Sequence, residues 1–110
     1  NGKNKKIVEL AEIMREFIMG LDQSIEEVPK KFYVAYKISQ NIACMEVRGK
    51  SIKLFLKLKP GDIPAGTKNY RDAASIGHYG TGDVEFTLSS DSEFGPVKEF
   101  IVMAYNKIGG

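Results

Sequence analysis

The chain has 110 residues, 43% apolar and 27% charged, with a formal net charge of +2, the size and make-up of one globular domain that can bury roughly 65% of its unfolded surface around a single core. One cysteine (Cys44) and one histidine (His78) exclude an internal disulfide and a classical zinc site within the chain, and no apolar run approaches the ~20 residues that span a bilayer. The weak positive charge permits a nucleic-acid partner without demanding one.

The opening "NGKNKKIVEL" lacks a starting Met and a signal-peptide core, so the chain is read as a piece of a longer protein, and its lone thiol fits a reducing, cytoplasmic setting. In "KNKKIVELAEIMREFIMGLD" the apolar residues Ile7, Leu10, Ala11, Met14, Phe17, Ile18 and Leu21 recur at spacings of three and four, which predicts an amphipathic helix. Gly20 and Pro29 mark its exit.

Three runs with period two follow. "KFYVAYKIS" puts Phe32, Val34, Tyr36 and Ile38 on one face, "NIACMEVR" Ala43, Met45 and Val47, and "SIKLFLKLK" Ile52, Leu54, Leu56 and Leu58. A two-residue turn at Gly49-Lys50 pairs Val47 with Ile52, Met45 with Leu54 and Ala43 with Leu56, so all three pairs fall on the apolar face. A turn at Gln40-Asn41 would pair Ile38 with Ala43, Tyr36 with Met45 and Val34 with Val47.

"KPGDIPAGTKNYRDAASIGHYGTG" is rich in Gly and Pro and reads mainly as loop, with a short helical turn in "NYRDAASI". "DVEFTLS" is the fourth strand, with Val84, Phe86 and Leu88 inward. Val97, Phe100, Ile101, Ala104 and Ile108 mark a closing helix, with Pro96 at its first position, Asp91, Ser92 and Glu93 before it, and Gly109 as its stop. The expected architecture is one α+β domain over residues 1–110, a two-layer fold with a four-stranded, mainly antiparallel sheet carrying the N- and C-terminal helices on one face.

The same alternation leaves Tyr33, Lys37, Arg48, Lys53, Phe55 and Lys57 on the uncovered face. Rings among cations form a surface on which bases stack and phosphates are neutralised. The plain alternative is a solvated face whose lysines deter edge-to-edge pairing. Glu46, Asp83 and Glu85 dilute its positive field, and Glu46 stands opposite Lys53 as a cross-strand ion pair. Cys44, with Lys37 as its expected neighbour, is either a thiol made reactive by that cation or a small packing residue.

"RDAASIGHYGTGDVEF", residues 71–86, gathers His78, Asp72, Asp83, Arg71, Thr81 and three glycines. His78 and Asp72 have the types of a base and its orienting acid. Ser75 lacks the nucleophile elbow, and the glycines match neither a phosphate loop nor a dinucleotide fingerprint. The stretch reads first as an elaborate turn into the fourth strand, next as a ligand pocket, and last as a small hydrolase-like site at Asp72, His78 and Asp83.

The strand "ACMEVR" and the run "YRDAASIGHYGTGDVEF" resemble an uncharacterised bacterial and archaeal family, the domain of unknown function 5655, sometimes labelled "predicted transport protein". The resemblance runs from about Leu10 to about Ile108, with Tyr79 where the family often has Trp. It implies that Arg71, Asp72, Gly77, His78, Gly80, Thr81, Gly82 and Asp83 are motif positions. It further implies the C-terminal module of a longer chain, appended to nuclease-like or restriction-associated domains. The transport label sits poorly with a chain lacking a spanning segment. The functional expectation is a non-catalytic accessory domain that binds nucleic acid across the open sheet face or a small ligand at Arg71, Asp72, His78, Thr81 and Asp83. Protein docking or self-association, as a homodimer or against other domains of the parent chain, is the alternative. No membrane partner, metal or cofactor is expected.

Overall fold

Alternation between greasy and polar side chains decides the architecture, and the strands that carry it most strictly form the centre of the sheet. A computed structural model describes residues 4–76 and 81–108. Helix α1 (Lys5–Met19) begins where the Asn4 side chain accepts a hydrogen bond from the Ile7 N–H at 2.8 Å. Its buried stripe is Ile7, Leu10, Met14 and Ile18, the predicted spacing. The helix gives way at Gly20, which retains a right-handed conformation while its N–H still bonds back to Glu16.

Among the described residues the sheet has six strands, not the four expected, all antiparallel. They are β1 (Glu26–Pro29), β2 (Val34–Lys37), β3 (Asn41–Val47), β4 (Ile52–Leu56), β5 (Tyr70–Asp72) and β6 (Val84–Leu88), in the spatial order β1-β2-β3-β4-β6-β5. The two unexpected members are its edges. β5 occupies the segment read as a helical turn; it pairs Tyr70 with Phe86, Arg71 with Glu85 and Asp72 with Val84. β1 ends in Pro29, which suits an edge because proline has no N–H to give the ladder.

Between β3 and β4 the register is as predicted, with Val47 opposite Ile52, Met45 opposite Leu54 and Ala43 opposite Leu56, closed by the Arg48 N–H to Ser51 carbonyl bond at 2.8 Å. Between β2 and β3 the expected pairing is displaced. Val34 faces Met45 and Tyr36 faces Ala43, each two residues along from the expected partner. A shift of two preserves the face, so the apolar sets still meet. A bulge absorbs the difference: Tyr36 pairs with Ala43 and Lys37 with Asn41, which leaves Ile42 without a β2 partner. Ile42, at an even position among the inward-facing Ala43, Met45 and Val47, is therefore buried in the main core. Phe32, expected inward, sits in the turn closed by the Lys30 N–H to Tyr33 carbonyl bond and is 64% exposed beside the Lys31 ammonium.

The chain closes with α2 (Asp91–Phe94), a 3₁₀ turn (Gly95–Val97) and α3 (Lys98–Ile108). Pro96 lies in the middle of the 3₁₀ turn rather than at the first position of the main helix, and Ser90 rather than Asp91 or Ser92 is the cap, its hydroxyl accepting from the Glu93 N–H at 3.3 Å. The proposed stop at Gly109 lies outside the described residues. Helices α1 and α3 share one core with the inward residues of the sheet, among them Tyr36, Met45, Leu54, Leu56 and Phe86. Phe86 stacks on Phe100 at 5.5 Å and meets Tyr70 at 5.9 Å, tying both an edge strand and the last helix to the centre. On the opposite face a second small cluster forms from Ala35, Cys44 and Phe55, with Val28 and Tyr33 against it. No helix among the described residues is long and apolar enough to cross a membrane.

Leu54, fully buried at the centre of the sheet, carries a direct prediction. Leu54→Ala removes its methyl groups and leaves a cavity, which lowers stability by about 2–5 kcal/mol. A urea titration followed by circular dichroism reads this as a lower midpoint at unchanged slope, and a loss under about 1 kcal/mol would contradict the assignment of that face to the core.

Candidate functional site

On the face opposite the helices, the registers align one continuous row: Ala35, Cys44, Phe55, Glu85 and Arg71. Its neighbour is Glu46, Lys53 and Thr87. The row is apolar towards β2 and ionic towards β5. Glu85 is the pivot, a carboxylate only 2% exposed. One oxygen accepts from the Arg71 guanidinium at 2.9 Å, and the other from the Lys53 ammonium at 3.1 Å and the Thr87 hydroxyl at 3.3 Å. Lys53 also donates to the Thr87 hydroxyl at 3.1 Å.

An unpaired charge so deep would cost several kcal/mol. Burial pushes the Glu85 carboxyl up, but the hydrogen bonds and charges of Arg71 and Lys53 outweigh it and hold the group below the ordinary glutamate value. Two cations against one carboxylate leave the cluster net positive. The exposures are unequal: the Lys53 side chain is 19% exposed, that of Arg71 57%. Arg71 is thus held at one end by a buried acid and open to solvent along most of its length.

Of the residues expected to bind a ligand, Arg71 joins this cluster. Asp72 is exposed, and its carboxylate is engaged by the Ala74 N–H at 2.9 Å in a local turn. Thr81 is fully buried, its hydroxyl hydrogen-bonded to the Cys44 sulfur. Asp83 anchors the loop through its backbone, its carbonyl accepting from Ala73 at 2.8 Å and its N–H donating to Leu58 at 3.4 Å. His78 lies outside the described residues, and with it the geometry of an Asp72, His78 and Asp83 site. Between Thr81 and Asp83 the chain presses on β4: a Cβ on Gly82 would lie 2.1 Å from the Leu56 carbonyl oxygen and 2.9 Å from the Lys57 Cα.

Of the residues expected on the nucleic-acid face, Arg48 is exposed and donates to Glu46 at 3.1 Å, while Tyr33, Lys37 and Lys57 are half-buried. Phe55 is only 3% exposed within the second cluster, so its ring is not presented to solvent for stacking. Lys53 faces Glu46 in register as expected, but its ion pair is with Glu85 and that of Glu46 is with Arg48. Cys44 stands opposite Ala35 rather than Lys37, and burial pushes its thiol up more than the Thr81 hydrogen bond and the Lys30 charge lower it. A raised, fully buried thiol is a packing residue. Sequence reasoning treated Glu85 only as a diluting charge. Its centrality depends on Arg71, which reaches it only because residues 70–72 form a strand. Among the described residues no group of acidic, histidine or cysteine side chains is arranged to hold a metal ion.

The fold and this face define a two-layer α+β domain, an antiparallel sheet backed by helices on one side and carrying a buried ion cluster on the other. The chain belongs to the family described as a domain of unknown function (DUF5655), whose family model matches residues 1–107. It is similar to an uncharacterized protein of Haemophilus influenzae, 33% identical over 88 residues that make up 80% of this chain and 29% of that protein. The chain therefore spans less than a third of that relative's length. No solved structure matches it.

Two predictions follow from the geometry. Glu85→Gln leaves Lys53 and Arg71 without their counter-charge and lowers stability by about 1–3 kcal/mol near neutral pH. Because the folded state holds this carboxyl low, its contribution is complete above the ordinary value of 4.5 and is lost as pH falls through the lower folded value. The gap between wild type and Glu85→Gln, read by urea unfolding, is expected to be widest near pH 7 and to close in acid; a gap that widens in acid refutes the ion-pair account. Gly82→Ala drives a methyl into the β4 backbone and lowers stability by about 1–3 kcal/mol, measurable as a reduced thermal midpoint, whereas the same change at Gly61, where nothing lies within 4 Å, does not.

Proposed function

We propose that this domain is a non-catalytic binding module of a longer protein, and that it takes a small anionic ligand, a carboxylate or phosphate, over the Lys53, Glu85 and Arg71 cluster. One observation carries the reading: a carboxylate 2% exposed is held between two cations, one of which keeps 57% of its side chain open. A sheet face serving only to be wet gains little from such burial, since an apolar residue of the same shape would stabilise it as well or better. The arrangement has a different use. Glu85 fixes the Arg71 guanidinium in one orientation, and a fixed planar fork recognises carboxylate and phosphate oxygens through paired hydrogen bonds. Lys53 adds a second positive charge behind it. Of the motif positions that the family resemblance implies, Arg71 belongs to this cluster and Thr81 and Asp83 shortly precede Glu85 in the chain.

Nucleic-acid binding is less well supported by the same face. The burial of Phe55 removes a stacking ring, and the Lys53–Glu85 and Arg48–Glu46 pairs each tie a cation to an acid. A backbone-tracking surface needs unspent cations in a line.

The reading is tested by differential scanning fluorimetry with succinate, inorganic phosphate and AMP, alongside a single-stranded oligonucleotide at two salt concentrations. A ligand that binds the folded state raises the melting temperature in proportion to RT ln(1 + [L]/Kd). At least one small anion is expected to raise it for the wild type, and Arg71→Ala, while still melting cooperatively, is expected to lose the rise with succinate and to show a smaller one with the phosphates. No stabilisation by any small anion, or equal stabilisation of Arg71→Ala, sinks the proposal. Strongly salt-dependent oligonucleotide binding without a small-anion effect would favour the nucleic-acid surface instead.

A further inference from the structure

At the end of the sheet where β4 leaves and β6 enters, a cavity of about 320 Å³ lies apart from the Arg71 cluster. Lys57, Lys59 and Lys107 line it together with Gln40, Gly82 and Asp83. The three lysines come from different parts of the chain: the exit from β4, the segment before the 3₁₀ turn Pro60–Asp62, and the last turn of α3. Asp62 holds two of these walls together. One of its carboxylate oxygens accepts from the Lys107 ammonium at 2.8 Å and from the Lys59 backbone N–H at 2.9 Å. Those bonds keep the Asp62 carboxyl below its ordinary value, so the brace is intact at neutral pH. The remaining wall is equally fixed. Gly82 is pressed so closely on Leu56 and Lys57 that no side chain fits there, and the Asp83 N–H bonds to the Leu58 carbonyl.

We infer that this cavity binds the phosphate group of a small phosphomonoester. Lys107 is paired with Asp62, and Lys57 and Lys59 against the lining Asp83 leave a balance of one positive charge; lysines act as compact point charges suited to a phosphate. The volume is at the lower limit for ligand pockets, enough for a phosphate and a few further heavy atoms and too small for a nucleic-acid strand. The inference does not rest on the Arg71 reading, since none of its residues belongs to that cluster.

The test is an amide-resolved NMR titration of the 110-residue chain at low salt with inorganic phosphate, glycerol 3-phosphate and, as control, glycerol. A short single-stranded oligonucleotide forms a fourth arm. Saturable shifts at Gly82 and Lys59 are expected with the two phosphates and not with glycerol, tighter binding of the monoester marking it as the occupant over free phosphate. Lys57→Gln and Lys59→Gln are each expected to weaken phosphate about tenfold, while Lys57→Arg keeps affinity within a fewfold. Arg71→Ala is expected to leave the shifts at Gly82 and Lys59 in place, which separates failure here from failure at the sheet face. Absence of saturation, saturation indifferent to Lys57→Gln and Lys59→Gln, loss of these shifts in Arg71→Ala, or binding of the oligonucleotide alone overturns the inference. The spectrum of each variant reports its folding in the same experiment.

Discussion

The pairing of β3 with β4 is the constraint on which the rest of the molecule depends. Ala43, Met45 and Val47 meet Leu56, Leu54 and Ile52 across one face, and a two-residue turn leaves no room for another parity. A slip by one residue would send all six outward at once. With that face turned to α1 and α3, the intervening residues have no choice of side. Cys44, Glu46, Lys53 and Phe55 must occupy the other one, and the chemistry of that face is set before any loop is considered. Burial then divides it. Cys44 and Phe55 close into the second cluster, while Lys53 is left beside Glu85 on the next strand.

The same reasoning explains how much of the fold could be read in advance. Helix α1, the β3–β4 hairpin, β6 and the closing helix all carry a period long enough to identify them, and the residues the period selects lie in the main core or packed against it. The edges carry no such signal. β1 has four residues and ends in proline, and β5 has three, two of them exposed. Strands this short are held by their neighbour's ladder and not by their own pattern. The β2–β3 displacement is a different kind of miss. Face is encoded by alternation, but position along the ladder is not, and a bulge at Ile42 can change the second without disturbing the first.

The candidate site was legible to the same degree as the edges, because it is built on one of them. In the sequence Arg71 reads as a motif residue and Glu85 as an outward acid, yet nothing in the linear chain joins positions so placed unless residues 70–72 pair with β6. Phe55 illustrates the converse. Alternation correctly sent its ring away from the helices, but a side of a sheet is not a state of exposure, and packing with Ala35 and Cys44 buried it. Parity gives direction; only the tertiary neighbours give burial.

The segment from Thr81 to Glu85 shows why a single short motif can serve both places argued for above. Thr81 is sealed against Cys44, Gly82 rests on the backbone of Leu56, Asp83 bonds to Leu58, and Glu85 joins Lys53 and Arg71. Each residue is fixed by a different neighbour, so the segment has little freedom to shift without breaking several contacts together. Glycine is required at position 82 because the backbones meet there, and the acid at position 85 is required because two cations converge on it. The lysine-lined cavity touches the start of this segment and the ion cluster its end. Both are therefore built on one fixed stretch of backbone at the entry to β6.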